Sequence, residues 1–317
     1  MALINSADII DKKRDVSEII SMISQDQTPL LKILERKRTT DIITEWLEDI
    51  NPAGDGTVAA LEGADISSYD AGSQPSTKQN ICQIYSDTIS LSGSAMNNKN
   101  AYGRKDELAF QLKKKGVKLR KSLEKTILKN QASRLESGSD ARLLGGLPSW
   151  ITSNVSRGSG GAGTGYSGAV TVAATDGTQR AISETLFKNV LALMADNGAN
   201  IDSLKAFVGS FNKQTISDQF TGSNTRQIEM GGNNTINASV NFYNHDFGVA
   251  SVHYSPNQEA RDCFLIHPED FKVRVYRPEE LNKHAVTGDN VKYQLITEYT
   301  TEVHEKGLGH IADLTTS

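Results

Sequence analysis

Residues 291–303 alternate without a break. Val291, Tyr293, Leu295, Thr297, Tyr299, Thr301 and Val303 hold one set of positions, and Lys292, Gln294, Ile296, Glu298, Thr300 and Glu302 hold the other. A period of two predicts a strand with two unlike faces. At about 3.3 Å per residue the run spans roughly 43 Å, against about five or six residues for an ordinary strand. Residues 104–136 carry the other long pattern, with Leu108, Leu112, Leu119, Leu123 and Ile127 on one stripe and lysines over the rest. As a helix this is a rod of about 50 Å, weakened near its middle by Gly116 by roughly 1 kcal/mol. A long helix beside a long strand predicts an elongated, flattened subunit of the α+β class, a shape few compact enzymes need.

Charge is patterned as strongly as hydropathy. Residues 41–80 hold eight acids and one base, Lys78, a net of −7; residues 104–136 hold eleven bases and four acids, a net of +7. The whole chain is only −4. A block of like charge is ordinarily a solvated face or an interaction segment. Two matched blocks suit a contact in which the acidic segment of one copy meets the basic segment of another. The candidate contact residues are Glu48, Asp49, Glu62 and Asp65 on one side and Lys113, Lys114, Lys118 and Lys121 on the other.

Between these blocks the chain reads as arms and small elements. Val16, Ile19, Ile20 and Ile23 form a helical stripe in an amphipathic arm over residues 1–40, a further contact candidate. Thr28 and Pro29 then read as N-cap and first residue of a short helix. Residues 41–48 and 81–92 read as strands, and the acidic, aperiodic stretch between them as a projecting hairpin arm. Residues 145–168 read as a flexible glycine-rich linker. A helix is expected over 183–197, capped by Ser183 and ended by Gly198, and strands over 204–210, 236–243, 247–254, 263–267 and 271–276.

No apolar run reaches 18 residues, so no membrane span is expected, and the opening MALINSADIIDKKRD lacks the apolar core of a secretion signal. Cys82 and Cys263 stand far apart and form neither a disulfide framework nor a metal pair. Gly158, Gly160 and Gly163 spell G-x-G-x-x-G, but no strand precedes them and no helix follows, so the dinucleotide reading fails. All six histidines (His245, His253, His267, His284, His304, His310) fall in the last third at spacings that match no zinc pattern. No aromatic residues interleave with Lys113–Lys121, which argues against a base-stacking platform. No catalytic, cofactor or metal residues are assigned.

Several blocks taken together resemble the major capsid proteins of tailed bacteriophages, in a branch formerly known as a domain of unknown function. They are RDVSEIISMISQDQTPLLKIL (14–34), EWLEDI (45–50), EGAD (62–65), NICQIYSDTISLSGSA (80–95), ELAFQLKKKGVKLRKSLEKTIL (107–128), GGLPSWI (145–151), FVGSFNKQTIS (207–217) and VTGDNVKYQLITEYTTEV (286–303). The resemblance implies the fold first seen in the capsid of phage Hong Kong 97. It divides the chain into an N-terminal arm (1–40), an extended loop (41–95), a peripheral domain (96–169) with its spine helix (104–136), an axial domain (170–262) and return strands of the peripheral domain (263–317). It implies pentamers and hexamers of this chain forming an icosahedral shell around non-specifically held double-stranded DNA. The virion is the expected location, after assembly in the bacterial host cytoplasm. Scaffold, protease, portal and decoration proteins, where used, would be separate partners, since no long scaffolding extension precedes the arm. The rival readings are an encapsulin-like compartment shell, a phage tail or portal component, and a cytosolic enzyme using the His-rich third.

Overall fold

The computed structural model describes residues 28–49, 76–97, 106–220, 241–286 and 288–316, with scattered positions between 54 and 75. The stripe Val16, Ile19, Ile20 and Ile23 lies outside the described residues. In chain order the elements are helix α1 (Pro29–Ile33), strands β1 (Glu35–Arg38), β2 (Ile43–Glu48), β3 (Ser76–Ile81) and β4 (Gln83–Ser92), and helices α2 (Gly93–Asn97), α3 (Glu107–Leu128) and α4 (Leu147–Trp150). There follow β5 (Val155–Ser156), β6 (Gly165–Ser167), β7 (Val170–Val172), α5 (Glu184–Asp196), β8 (Leu204–Val208), α6 (Ser210–Phe220), β9 (Phe242–His245) and β10 (Gly248–Tyr254). The last are β11 (Cys263–Ile266), β12 (Phe271–Lys283), β13 (Asn290–Val303) and β14 (Leu308–Ile311).

The alternating run becomes β13, 14 residues long and central in a four-stranded sheet of order β1-β12-β13-β4. Its antiparallel partner β12 runs to Lys283, past the expected end at 276, because β13 supplies a ladder for the polar stretch that follows Arg277. From Thr297 to Val303 every residue of β13 is buried, so this half is covered on both faces. The expected strand 81–92 divides at Cys82. β3 pairs with β2 as a hairpin, and β4 crosses into the long sheet beside β13.

The helix is shorter than 104–136 predicts. Asp106 caps it by accepting hydrogen bonds from the Leu108 and Ala109 amides at 2.9 and 3.3 Å. It ends at Leu128, and 22 residues make a rod of about 33 Å. Beyond it the Asn130 side chain exchanges hydrogen bonds with the Ala174 backbone and the Ser133 hydroxyl accepts from the Thr171 amide, an alternative that competes with helix for such residues. Leu119, Leu123 and Ile127 are buried in a core shared with Leu30, Leu31, Leu34, Trp150, Tyr299 and Val303. Residues 28–38 of the expected arm are therefore part of the body, with β1 pairing parallel to β12.

Residues 145–168 are built structure, contrary to the linker reading. Leu147, Pro148, Ser149 and Trp150 are all buried. Two of its glycines stand where backbones touch: a Cβ on Gly146 would lie 1.8 Å from the Lys129 carbonyl oxygen, and one on Gly158 2.0 Å from that of Thr178. Asp313 accepts hydrogen bonds from the Gly158 and Gly177 amides at 2.9 and 2.8 Å and pairs with Arg261 at 2.5 Å, tying this loop to the chain's last strand region.

The six-stranded sheet has the order β5-β14-β11-β8-β10-β9. Alternate residues of β11 serve two cores: Cys263 and Leu265 face the cluster with α5 residues Phe187, Val190 and Met194, while Phe264 and Ile266 face the α3 cluster. The stretch 263–317, expected as return strands of the peripheral domain, divides between the two sheets. β11 and β14 pair within the sheet of β8 and β10, and only β12 and β13 return along the long sheet.

Candidate assembly surfaces

The acidic hairpin leaves the body through a joint of charged groups. Lys78 on β3 reaches Glu48 on β2 at 2.7 Å and Glu305 at 3.7 Å. His304, just past β13, stands 3.5 Å from Glu48 and 3.2 Å from Glu302. Arg274 on β12 donates to the other oxygen of Glu302. Hydrogen bonds to Glu302 and Glu48 raise the His304 pKa to about 9. The His304 bond, with Arg274, holds Glu302 down to about 2 against burial. Burial works against the Glu48 carboxylate too, but bonds from His304 and Lys78 outweigh it and lower its pKa. Glu305 also accepts from the Thr152 amide and hydroxyl and the Ser153 amide, at 2.8, 2.6 and 2.9 Å. Trp46 on β2 packs against Trp150 at the same joint, the rings 5.4 Å apart and tilted by 43°. The hairpin base is therefore clamped to its own subunit by charge and by aromatic packing.

Outward from the clamp the character changes. Leu61 is 84% exposed and Tyr69 86%, flanking the exposed Glu62 and Asp65. Large apolar side chains in an acidic arm are the kind of surface that contact with another molecule covers. A second apolar patch lies on the six-stranded sheet, where Phe242 on the edge strand β9 is 71% exposed and Phe247, Val249 and Tyr254 follow it.

The basic helix is partly answered within its own subunit. Asp87 on β4 takes Lys115 at 2.7 Å and Lys118 at 2.9 Å, and Glu279 on β12 lies 3.7 Å from Arg120. Lys113 and Lys114 are exposed, and the Lys114 ammonium sits 5.6 Å from the centre of the Phe110 ring. Along the next ridge Lys114, Val117, Lys118, Lys121, Lys125 and Asn257 line a shallow groove of about 250 Å³.

The family model for the SU10 major capsid protein matches residues 3–315. The chain belongs to that family. The major capsid protein of Escherichia phage Phieco32 is 33% identical over 122 residues, 38% of this chain and 34% of that protein, so the alignment spans about a third of the curated relative's length. The capsid asymmetric unit of cyanophage A-1(L) superposes with a TM-score of 0.66 at 13% identity over 98% of both chains. The SrpI encapsulin complex of Synechococcus elongatus gives a TM-score of 0.59 at 9% identity, covering 100% of this chain and 98% of that one. The fold of this SU10-family chain is the Hong Kong 97 phage capsid fold, of the α+β class.

Of the residues expected at contacts between copies, Glu48 and Lys118 are engaged inside their own subunit, whereas Glu62, Asp65, Lys113 and Lys114 are exposed. Asp49 is exposed at the hairpin base and Lys121 lines the groove. The histidines do not gather. His310 pairs with Asp262 at 2.9 Å in the core, His304 sits in the hairpin joint, and His253 stacks on Phe207. Among the described residues no group of three or more His, Cys, Asp or Glu is arranged to hold a metal, and no helix is long and apolar enough to cross a membrane. Sequence reasoning missed Glu124, a buried carboxylate on α3 that accepts the Leu31 amide at 3.1 Å and the Asn257 side chain at 2.9 Å. Its only signal was an acid on the apolar stripe side of a basic helix.

Proposed function

We propose that copies of this chain assemble into pentamers and hexamers that close into an icosahedral head shell holding phage double-stranded DNA, a structural role without catalysis. The observation that carries it is the hairpin: a base clamped rigidly to the body and an outer part presenting Leu61, Tyr69, Glu62 and Asp65 to the surroundings. Head-to-tail contacts of this kind close into rings when the rotation closes, and arms reaching over neighbours enlarge an interface without a larger core. The domain assignment follows the sheets. The hairpin of β2 and β3 with its loop is the extended loop, α3 with the long sheet is the peripheral layer, and α5 and α6 with the six-stranded sheet are the axial part. The virion is the destination, and assembly takes place in the host cytoplasm. Scaffold, maturation protease, portal and decoration proteins are separate chains where they are used.

At the finer level the outer part of one hairpin lies over Lys113 and Lys114 on α3 of an adjacent copy. Each such contact contributes about 0.2–1 kcal/mol, and several together set register and partner choice. Glu62→Lys with Asp65→Lys should block or misdirect assembly of a folded subunit, and Lys113→Glu with Lys114→Glu in the same chain should restore part of it. Normal shells from the loop variant would overturn this contact. A compartment shell is the second reading, supported by the superposition on the encapsulin subunit. Nuclease-protected DNA in purified particles favours the head shell, and a packaged enzyme favours the compartment.

A further inference from the structure

We infer that the groove on α3 seats this chain's own N-terminal segment, residues 15–23. The described chain begins at Thr28, which is buried where α1 meets α3. Glu124 fixes that point, since one oxygen accepts the Leu31 amide at 3.1 Å and the other the side chain of Asn257 at 2.9 Å. Asn257 is also a wall of the groove, beside Lys121 and Lys125, which lie within one helical turn of Glu124. The segment preceding Thr28 therefore leaves the body at one end of the groove.

Charge and length both fit. Residues 15–23 contain Asp15 and Glu18 and no base, and they carry the stripe Val16, Ile19, Ile20 and Ile23. The groove offers Lys121 and Lys125 beside Val117, while Asp87 holds Lys118, and lysine stems add apolar wall to the valine. A helix over 15–23 would be about 14 Å long, within the about 16 Å from Lys114 to Lys125 along α3. Residues 24–27 reach at most about 13 Å when extended, enough to fold back onto the groove. The neighbour's hairpin is left the exposed Lys113 and Lys114 end of α3.

The test is a cysteine pair in the full chain, Ile20→Cys with Val117→Cys. Cys82 and Cys263 are buried, and burial pushes the Cys82 thiol up to about 11 and the Cys263 thiol further, so the native thiols stay out of the exchange. The expected result is an intrachain disulfide, found by peptide mapping without oxidation-dependent dimers. Adding Lys121→Glu and Lys125→Glu should slow its formation about tenfold. Disulfide-linked dimers would overturn the assignment by placing the arm on a neighbour, and so would an introduced α3 thiol that stays reduced. A Glu62→Cys with Val117→Cys pair that links between chains would give the groove to the neighbour's loop and also overturn it. Shell formation is scored separately: an intrachain bond in a chain that never assembles would sink the head-shell reading and leave this one standing.

Discussion

Replacing His304 with Gln removes the charge at the centre of the hairpin clamp and keeps a polar side chain of similar reach. The charged groups around it are Glu48 on β2, Lys78 on β3, Arg274 on β12, Glu302 on β13 and Glu305 in the following turn. Moving the imidazole from 6.5 to about 9 corresponds to at most ~3 kcal/mol at 1.36 kcal/mol per tenfold. The side chain keeps 29% of its surface in solvent, and screening brings the expected contribution to about 1–2 kcal/mol. Because the folded pKa lies above the unfolded one, this stabilisation is complete below 6.5 and is lost as pH rises through about 9. Glu302 behaves oppositely: its contribution is present above 4.5 and is lost as pH falls through about 2. Urea unfolding of the unassembled full-length subunit, followed by tryptophan fluorescence, reads this joint directly, since Trp46 and Trp150 are the only two tryptophans and Trp46 lies 6.5 Å from the His304 ring. The variant should be less stable than the parent by about 1–2 kcal/mol near pH 6 and nearly equal to it near pH 10. The same loss at both pH values would refute an electrostatic clamp and leave only packing.

Gly146→Ala should cost ~3 kcal/mol or more and lower the yield of soluble protein, because the new Cβ meets a backbone carbonyl that no rotamer can avoid. Asp313→Asn should cost about 1–3 kcal/mol, since one carboxylate oxygen becomes an NH2 that cannot accept, which loses either the Gly158 amide or the Gly177 amide and Arg261; limited proteolysis should then cut the 158–178 region faster. Deleting residues 1–27 should leave the circular dichroism of the body intact, because the described core begins at Thr28, while shell yield falls.

The long-range frame was legible because its signals are periodic. The alternation of 291–303 gave β13, and the stripe Leu119, Leu123 and Ile127 gave the buried face of α3. The helix end was not, because Asn130 and Ser133 find their backbone partners some forty residues away. The glycine-rich stretch was misread because composition does not distinguish a glycine that frees the chain from one that lets two backbones touch, as at Gly146 and Gly158. Charge blocks revealed where acids and bases concentrate but not which pair within a subunit. Lys118 and Glu48 look like their neighbours in sequence, yet Asp87 and Lys78 hold them at home. The extra length of β12 was hidden by Pro278 and the acids after it, and only the register against β13 explains it.

Electron microscopy of the purified full-length protein, with a scaffold protein supplied if one is encoded beside it, tests the central claim most directly. Closed shells built from five- and six-fold clusters are the predicted result, with the hairpin of each copy resting on its neighbour. A 34.4 kDa monomer that stays dispersed at high concentration with scaffold present would contradict it.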